Sequence, residues 1–214
     1  REISKIDGLE RIRVSSIEIT EIDDKFIEEM KNNKKLCGHL HVSLQSGSER
    51  ILKVMNRKYT KEEYYNKICK LRDAKENINL TTDVIVGFPT ETEEEFLECV
   101  DYCKKIGFSK IHVFPYSKRE GTKAASMDGH LSNDIKKDRA RRLIEIDKDL
   151  QLTYNERFIN KKVNVLIEEV IDGNSIGHTE NFLKVIINEK LKENTCYDVI
   201  IDSVNEEEVY GKIV

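Results

Sequence analysis

The alternation of apolar and polar positions changes rhythm once along the chain. Up to about residue 131, short β-type runs alternate with helical patterns; after one long helix, only short alternating runs follow. Residues 11–16 (RIRVSS) alternate and carry β-branched side chains, which predicts a strand. Phe26, Ile27 and Met30 recur at helical spacing within 22–32. A strand at 39–44 leads into Gln45-Ser46-Gly47-Ser48, a tight turn that places Ser48 to N-cap a helix reaching Met55. Thr60-Lys61-Glu62-Glu63 and Thr92-Glu93-Glu94-Glu95 are capping boxes, in which hydroxyl and carboxylate satisfy each other's exposed backbone donors. The first opens a helix burying Tyr64, Ile68, Leu71 and Ala74, the second a helix to Ile106. Strands are predicted at 80–86 and 110–115, and the only prolines, Pro89 and Pro115, stand at their exits.

One helix is predicted over 132–158, with Leu143, Ile146, Leu150, Tyr154 and Phe158 on one face. Five short strands without helices follow, at 163–170, 175–179, 183–187, 197–203 and 208–213, the pattern of a small antiparallel barrel. The fold class is therefore α/β, strand–loop–helix units on a parallel sheet followed by a small all-β barrel. The organisation expected is residues 1–131, a connecting helix at 132–159 and the small barrel at 160–214. Repeated strand–loop–helix units place ligand-binding loops at the carboxyl edge of a parallel sheet.

Composition narrows the picture. The hydrophobic fraction of 38% supports a core, and the net charge of −4 excludes an indiscriminate polyanion binder. No apolar run is long enough for a bilayer and no signal peptide opens the chain, so a cytoplasmic protein without a membrane partner is expected. The chain begins on Arg1, already close to strand-like sequence, and reads as a piece of a longer protein. Five cysteines read as reduced thiols. Cys99 and Cys103, four apart on a predicted helix, share the apolar face with Phe96 and Ile106, so core packing is expected rather than cluster ligation, and no metal site is assigned.

The series RIRVSSIEI, HLHVSLQSGSERILKVMNRKYT, TTDVIVGFPTETEEEF and HVFPYSKREGTKAA resembles the radical S-adenosylmethionine tRNA methylthiotransferases (the MiaB-like family) across nearly all 214 residues. HVFPYSKREGT favours the branch, the MtaB type, that modifies N6-threonylcarbamoyladenosine in tRNA. The resemblance implies a partial TIM-like (β/α) barrel, the later strands of the radical barrel, then a small all-β TRAM-like barrel. It also implies S-adenosylmethionine as cofactor, tRNA as partner, and two 4Fe-4S clusters in the full-length protein. A reduced cluster would cleave S-adenosylmethionine to a radical that removes a hydrogen from the adenine ring, before sulfur insertion and methylation. The family's cluster cysteines have no counterpart here, so the chain as it stands is expected to be inactive and to hold no cluster. Its open barrel edge is a candidate for pairing with a second copy.

On the barrel logic, Ser16 and Glu18 after one strand and Gln45, Ser46 and Ser48 after the next are candidate cofactor-binding residues, their neutral oxygens and amide suited to hydroxyls. Val86, Gly87 and Phe88 would face the adenine, Gly87 permitting close approach and Phe88 offering a stacking surface. Phe114 and Tyr116 complete the set. His39 and His41 share one strand face. Candidate RNA contacts are Arg57, Lys58, Lys118 and Arg119 along that edge, and Lys136, Lys137, Arg139, Arg141 and Arg142 at the head of the long helix. On the small barrel, either Lys161, Lys162, His178 and Lys184 form a local patch, or recognition rests on shape and on base stacking by Phe182 and Tyr197. Two rival readings stand beside this one. A different TIM-barrel enzyme would want Lys or paired carboxylates where Ser, Gln and Gly occur. A non-enzymatic RNA-binding module would bind tRNA without S-adenosylmethionine.

Overall fold

Four parallel strands form one open sheet in the computed structural model, which describes residues 1–205 and 208–214. They are β1 (Ser16–Ile17), β2 (His39–Val42), β3 (Asn79–Val86) and β4 (Lys110–Pro115), in sheet order β1-β2-β3-β4. The intervening helices are α1 (Asp24–Asn32), α2 (Glu49–Val54), α3 (Lys61–Ala74) and α4 (Glu93–Ile106). Right-handed crossovers put such helices on one face of the sheet. Leu80, Val84 and Val86 accordingly point into that core, together with Tyr64, Ile68, Phe96 and Phe108, all at most 2% exposed. Each such side chain stabilises by about 1.5–3 kcal/mol on burial. Asn79, Thr81 and Asp83 alternate with them and line the opposite, inner face.

The helix termini follow from local chemistry. Both capping boxes are present, at Thr60 with Glu63 and at Thr92 with Glu95. Gly107, at φ +65°, ends α4 in the left-handed conformation that costs glycine least. Ser48 departs from expectation: it occupies the N-cap position of α2, yet its hydroxyl makes no cap bond.

The strand expected over 11–16 contracts to Ser16–Ile17 plus a single bridge from Ile12 to Leu36. The cause lies in its arginines. Arg11 donates to His178 O (3.2 Å) and Asn164 Oδ1 (2.9 Å), and Arg13 stacks on Phe182 at 4.3 Å. These contacts draw the segment toward the second barrel and break the ladder.

Helix α5 (Asn133–Glu156), N-capped by Ser132, packs along the outer edge of β4. There Asp147 accepts Ile111 N–H at 2.6 Å and pairs with Lys110 Nζ at 2.7 Å, and Pro115 has no N–H to offer. That edge is therefore chemically finished.

Five strands then close a barrel in the order β5-β6-β7-β9-β8: β5 (Lys162–Ile171), β6 (Asn174–Thr179), β7 (Lys184–Ile187), β8 (Thr195–Val204) and β9 (Val209–Ile213). It is not wholly antiparallel, because β7 and β9 run parallel. Five strands in a ring cannot all alternate in direction. The barrel docks at the amino edge of the sheet, where Asn181 Nδ2 donates to Asn77 O (3.1 Å) and Tyr154 Oη (3.0 Å).

Candidate functional site

The turn after β2 is the most constrained backbone at the carboxyl edge. Ser46 N–H donates to Leu44 O at 2.8 Å, closing a γ-turn about Gln45, whose φ is +66°. That hand of turn is rare and strained for a residue with a Cβ. Neighbours over-determine it. Gln45 N–H donates to Asp83 O (2.8 Å), Gln45 O accepts from Ile85 N–H (2.9 Å), and Thr82 Oγ1 accepts from Leu44 N–H (2.8 Å). Gly47 N–H donates to Cys99 Sγ at 3.0 Å, and a Cβ on Gly47 would stand 2.7 Å from Cys99 Cα. Gln45, Ser46 and Ser48 are buried, and Ser48 Oγ has no hydrogen-bond partner among the described residues.

The loop after β3 is clamped from two sides. Gly87, at φ +72°, donates N–H to Glu91 Oε2 at 2.7 Å. Arg139 of α5 reaches the same carboxylate, while Arg50 of α2 donates to Thr90 O (2.7 Å) and Glu95 Oε2 (2.7 Å). Burial pushes the Glu91 carboxyl above the usual carboxylate range.

Beside this loop Phe88 meets Tyr116 edge-on at 5.2 Å, Tyr116 stacks on His130 at 5.8 Å, and Lys136 Nζ hangs 5.3 Å over the Tyr116 ring. Tyr116 Oη has no partner among the described residues. Two expectations are corrected here. Val86 turns its side chain into the helix-side core, so only its carbonyl is at the edge, accepting Tyr116 N–H at 2.8 Å. Phe88 is buried against Tyr116 and is no free stacking surface; Phe114, 50% exposed, is the open ring. Ser16 and Glu18 are exposed, Ser16 in register with His41, and Glu18 faces Arg57 at 3.4 Å.

Down the inner face runs a hydrogen-bonded chain that residue spacing did not foretell. Asp83 Oδ2 lies 3.1 Å from His41 Nε2, His41 Nδ1 3.0 Å from Thr81 Oγ1, and Thr81 Oγ1 3.4 Å from His39 Nε2. The only signal was period-two alternation, which puts His39, His41, Thr81 and Asp83 on one face. Burial first, then Arg13, His41 and His178, hold His39 down at about 4.

The basic patch at the head of α5 is smaller than its composition. Arg139 is 4% exposed and committed to Glu91, so it is removed from the candidate RNA contacts. Arg141 pairs with Asp138 (2.8 Å) and Glu145 (2.9 Å), and Arg142 with Glu93 (2.6 Å), leaving Lys136 and Lys137. Lys58 donates to Asn56 Oδ1 at 2.7 Å, while Lys118 and Arg119 stand exposed on the loop after β4. On the barrel Lys161 is exposed, Lys162 pairs with Asp198 at 2.8 Å, and Lys184 borders the sheet–barrel cleft. Phe182, 39% exposed, carries His39 (4.8 Å), His178 (4.3 Å) and Arg13 (4.3 Å) against its ring, so only part of it is open.

Cys99 and Cys103 are buried on α4, Cys37 lies at the amino edge, Cys69 on α3 and Cys196 on the barrel. Among the described residues no group of three His, Cys, Asp or Glu side chains converges as a metal site. The residues present therefore do not fit an iron–sulfur cluster. The donor set at the carboxyl edge does fit a ligand rich in hydroxyl and amine groups, with the orphaned Ser48 and Tyr116 hydroxyls as the observation. No helix of the described residues is long and apolar enough to cross a membrane.

Residues 1–103 match the Radical SAM superfamily. The chain is 41% identical over 188 residues to the threonylcarbamoyladenosine tRNA methylthiotransferase MtaB of Bacillus subtilis, covering 86% of this chain and 42% of that protein. It is 45% identical over 174 residues to the tRNA-2-methylthio-N(6)-dimethylallyladenosine synthase of Acetivibrio thermocellus, covering 81% of this chain and 36% of that protein. A synthase of that name from Thermodesulfovibrio yellowstonii is 40% identical over 219 residues, covering the whole chain and 50% of that protein. The chain thus spans half or less of these relatives. Among solved structures, the radical SAM enzyme coproporphyrinogen III oxidase (HemN) of Escherichia coli superimposes with a TM-score of 0.55 at 18% identity, over 65% of this chain and 32% of that one.

Proposed function

The chain belongs to the radical SAM superfamily, with tRNA methylthiotransferases as its relatives, and on that footing we propose that it is the later part of such an enzyme, acting on N6-threonylcarbamoyladenosine. In this reading residues 1–131 complete the radical barrel, 132–159 connect, and 160–214 form a TRAM-like barrel that meets tRNA. The observation that carries it is the strained, buried Gln45 turn with the partnerless Ser48 hydroxyl, at the sheet edge where barrel enzymes bind ligands.

S-adenosylmethionine, when bound there, would supply the methyl group and the 5'-deoxyadenosyl group. Gln45, Ser46 and Ser48 would take its hydroxyl and amine groups, and Phe114 would offer an apolar face. Gly87 keeps the β3 exit free of a Cβ, and the Glu91–Arg139 pair holds that loop still. Among the described residues no side chains converge as a ligand set for a cluster. Lys118, Arg119, Lys136 and Lys137 surround the same edge and suit RNA phosphates.

The test is to purify the uncut native polypeptide without oxygen and supply tRNA bearing either N6-threonylcarbamoyladenosine or N6-dimethylallyladenosine. Iron and acid-labile sulfide are counted alongside. Methylthio mass gain on the first tRNA supports the reading. Gain only on the second moves the chain to the other branch. Iron-free protein that still binds tRNA leaves a binding module instead.

A further inference from the structure

At the amino edge of the sheet, remote from the Gln45 turn, a cavity of about 320 Å³ opens between the inner face, the last turns of α5 and the β6–β7 hairpin. The sheet contributes His39, His41, Lys110 and His112 to its wall, and the barrel contributes His178 and Lys184. Tyr154 and Leu183 supply apolar surface. None of the described wall residues is Asp or Glu. In a chain with 40 acidic and 36 basic residues, that exclusion is a property of the site and not of the composition.

Carboxylates do stand close by, each paired with a wall residue. Asp83 holds His41 at 3.1 Å, Asp147 holds Lys110 at 2.7 Å, and Glu168 holds His178 at 2.7 Å. Glu208 lies within electrostatic reach of Lys184, and Arg13 approaches from the amino-terminal segment over Phe182. The helix brings Gln151, Tyr154 and Asn155, none of them charged at neutral pH.

His39 supplies the pointer to a ligand. It is 7% exposed, it lines the cavity, and its Nδ1 has no hydrogen-bond partner among the described residues. The chain Asp83–His41–Thr81–His39 can carry its protons in two ways. With His41 neutral, Thr81 donates to His41 Nδ1 and accepts from His39 Nε2–H, so His39 Nδ1 is an acceptor. With His41 protonated, its N–H groups go to Asp83 and Thr81, Thr81 donates to His39 Nε2, and Nδ1 carries the hydrogen. An acceptor-rich ligand matches the second arrangement.

We propose that this cleft between sheet and barrel is a binding site for a phosphate group, free or carried by a small nucleotide, held by His39, His112, His178 and Lys184. The site is separate from the one proposed above, and the failure of either reading leaves the other standing.

The test titrates the chain with inorganic phosphate, with AMP and with adenosine, following the histidine imidazole nitrogens by NMR and the heat of binding by calorimetry. Phosphate and AMP are expected to move the signals of His39, His41, His112 and His178, and adenosine to leave them still. AMP binding about tenfold tighter than phosphate identifies a nucleotide ligand; equal affinity identifies free phosphate. His112→Gln and Lys184→Gln, both at exposed positions whose loss leaves the core intact, should each weaken binding by about tenfold. Adenosine shifting the same signals as AMP would overturn the proposal. So would unmoved histidine signals at saturating phosphate, or unchanged affinity in both variants with the parent's thermal unfolding.

Discussion

Arg139 Nη1 lies 2.5 Å from Glu91 Oε2, and the two side chains are 5% and 2% exposed. The pair joins the middle of the fold to its edge, because the same carboxylate oxygen receives Gly87 N–H at 2.7 Å. Removing one partner strands a charge out of water, whereas removing both need not. Arg139→Met should therefore cost about 3–5 kcal/mol in urea unfolding. The double variant with Glu91→Gln should recover much of that loss. Equal losses in the single and double variants would show that the pair is not what holds the loop.

His39 makes the docking of the two barrels sensitive to acid. Its folded value of about 4 lies below the ordinary 6.5, so the folded state binds the proton more weakly. Its contribution is complete above the unfolded value and is lost as pH falls from about 6.5 to about 4. The loss approaches about 3 kcal/mol. Carboxylates titrate in the same window, so the informative measurement is the difference between the parent and His39→Gln in urea midpoints at each pH. A difference constant across that range would exclude His39 as the cause.

Gly87 and Gly121 separate backbone strain from steric clash. Both have φ in the left-handed region, but a Cβ at Gly121 meets nothing within 4 Å, while one at Gly87 stands 2.5 Å from Lys136 Cγ. Gly121→Ala should cost only the backbone penalty, about 1 kcal/mol. Gly87→Ala should cost more, and Lys136→Ala added to it should recover only part of the excess, because the Cβ of residue 136 still stands 3.3 Å away, as read in thermal unfolding.

The two capping boxes should be of similar local worth, and Thr60→Ala and Thr92→Ala should each lose about 1 kcal/mol. Thr92→Ala should show a second effect. Glu95 Oε2, which receives Thr92 N–H at 2.9 Å, also receives Arg50 Nη2 at 2.7 Å, so hydrogen exchange should rise at the Thr90 loop only in that variant.

Local patterns carried much of the fold. The capping boxes, the strand at Lys110–Pro115 and the change of rhythm after the long helix were all legible, because each rests on contacts within a few residues. The Arg11–Ser16 segment misled, since its alternation is strand-like while its arginines are claimed by Asn164 and Phe182, over 150 residues away. Composition misled likewise at Arg139, which reads as surface charge and is spent inside on Glu91.

What the sequence determined by itself is the order of elements, their caps, and the sheet edge that gathers Gln45, Gly87 and Tyr116. Period and capping are short-range, and strand exits in a parallel sheet must share an edge. Only the tertiary structure decided which polar groups are spent and which are left over. Arg139 is used on Glu91, whereas Ser48 Oγ and His39 Nδ1 have no hydrogen-bond partner among the described residues. Satisfaction of a buried polar group depends on atoms brought from distant segments, and no local pattern records which of them arrive.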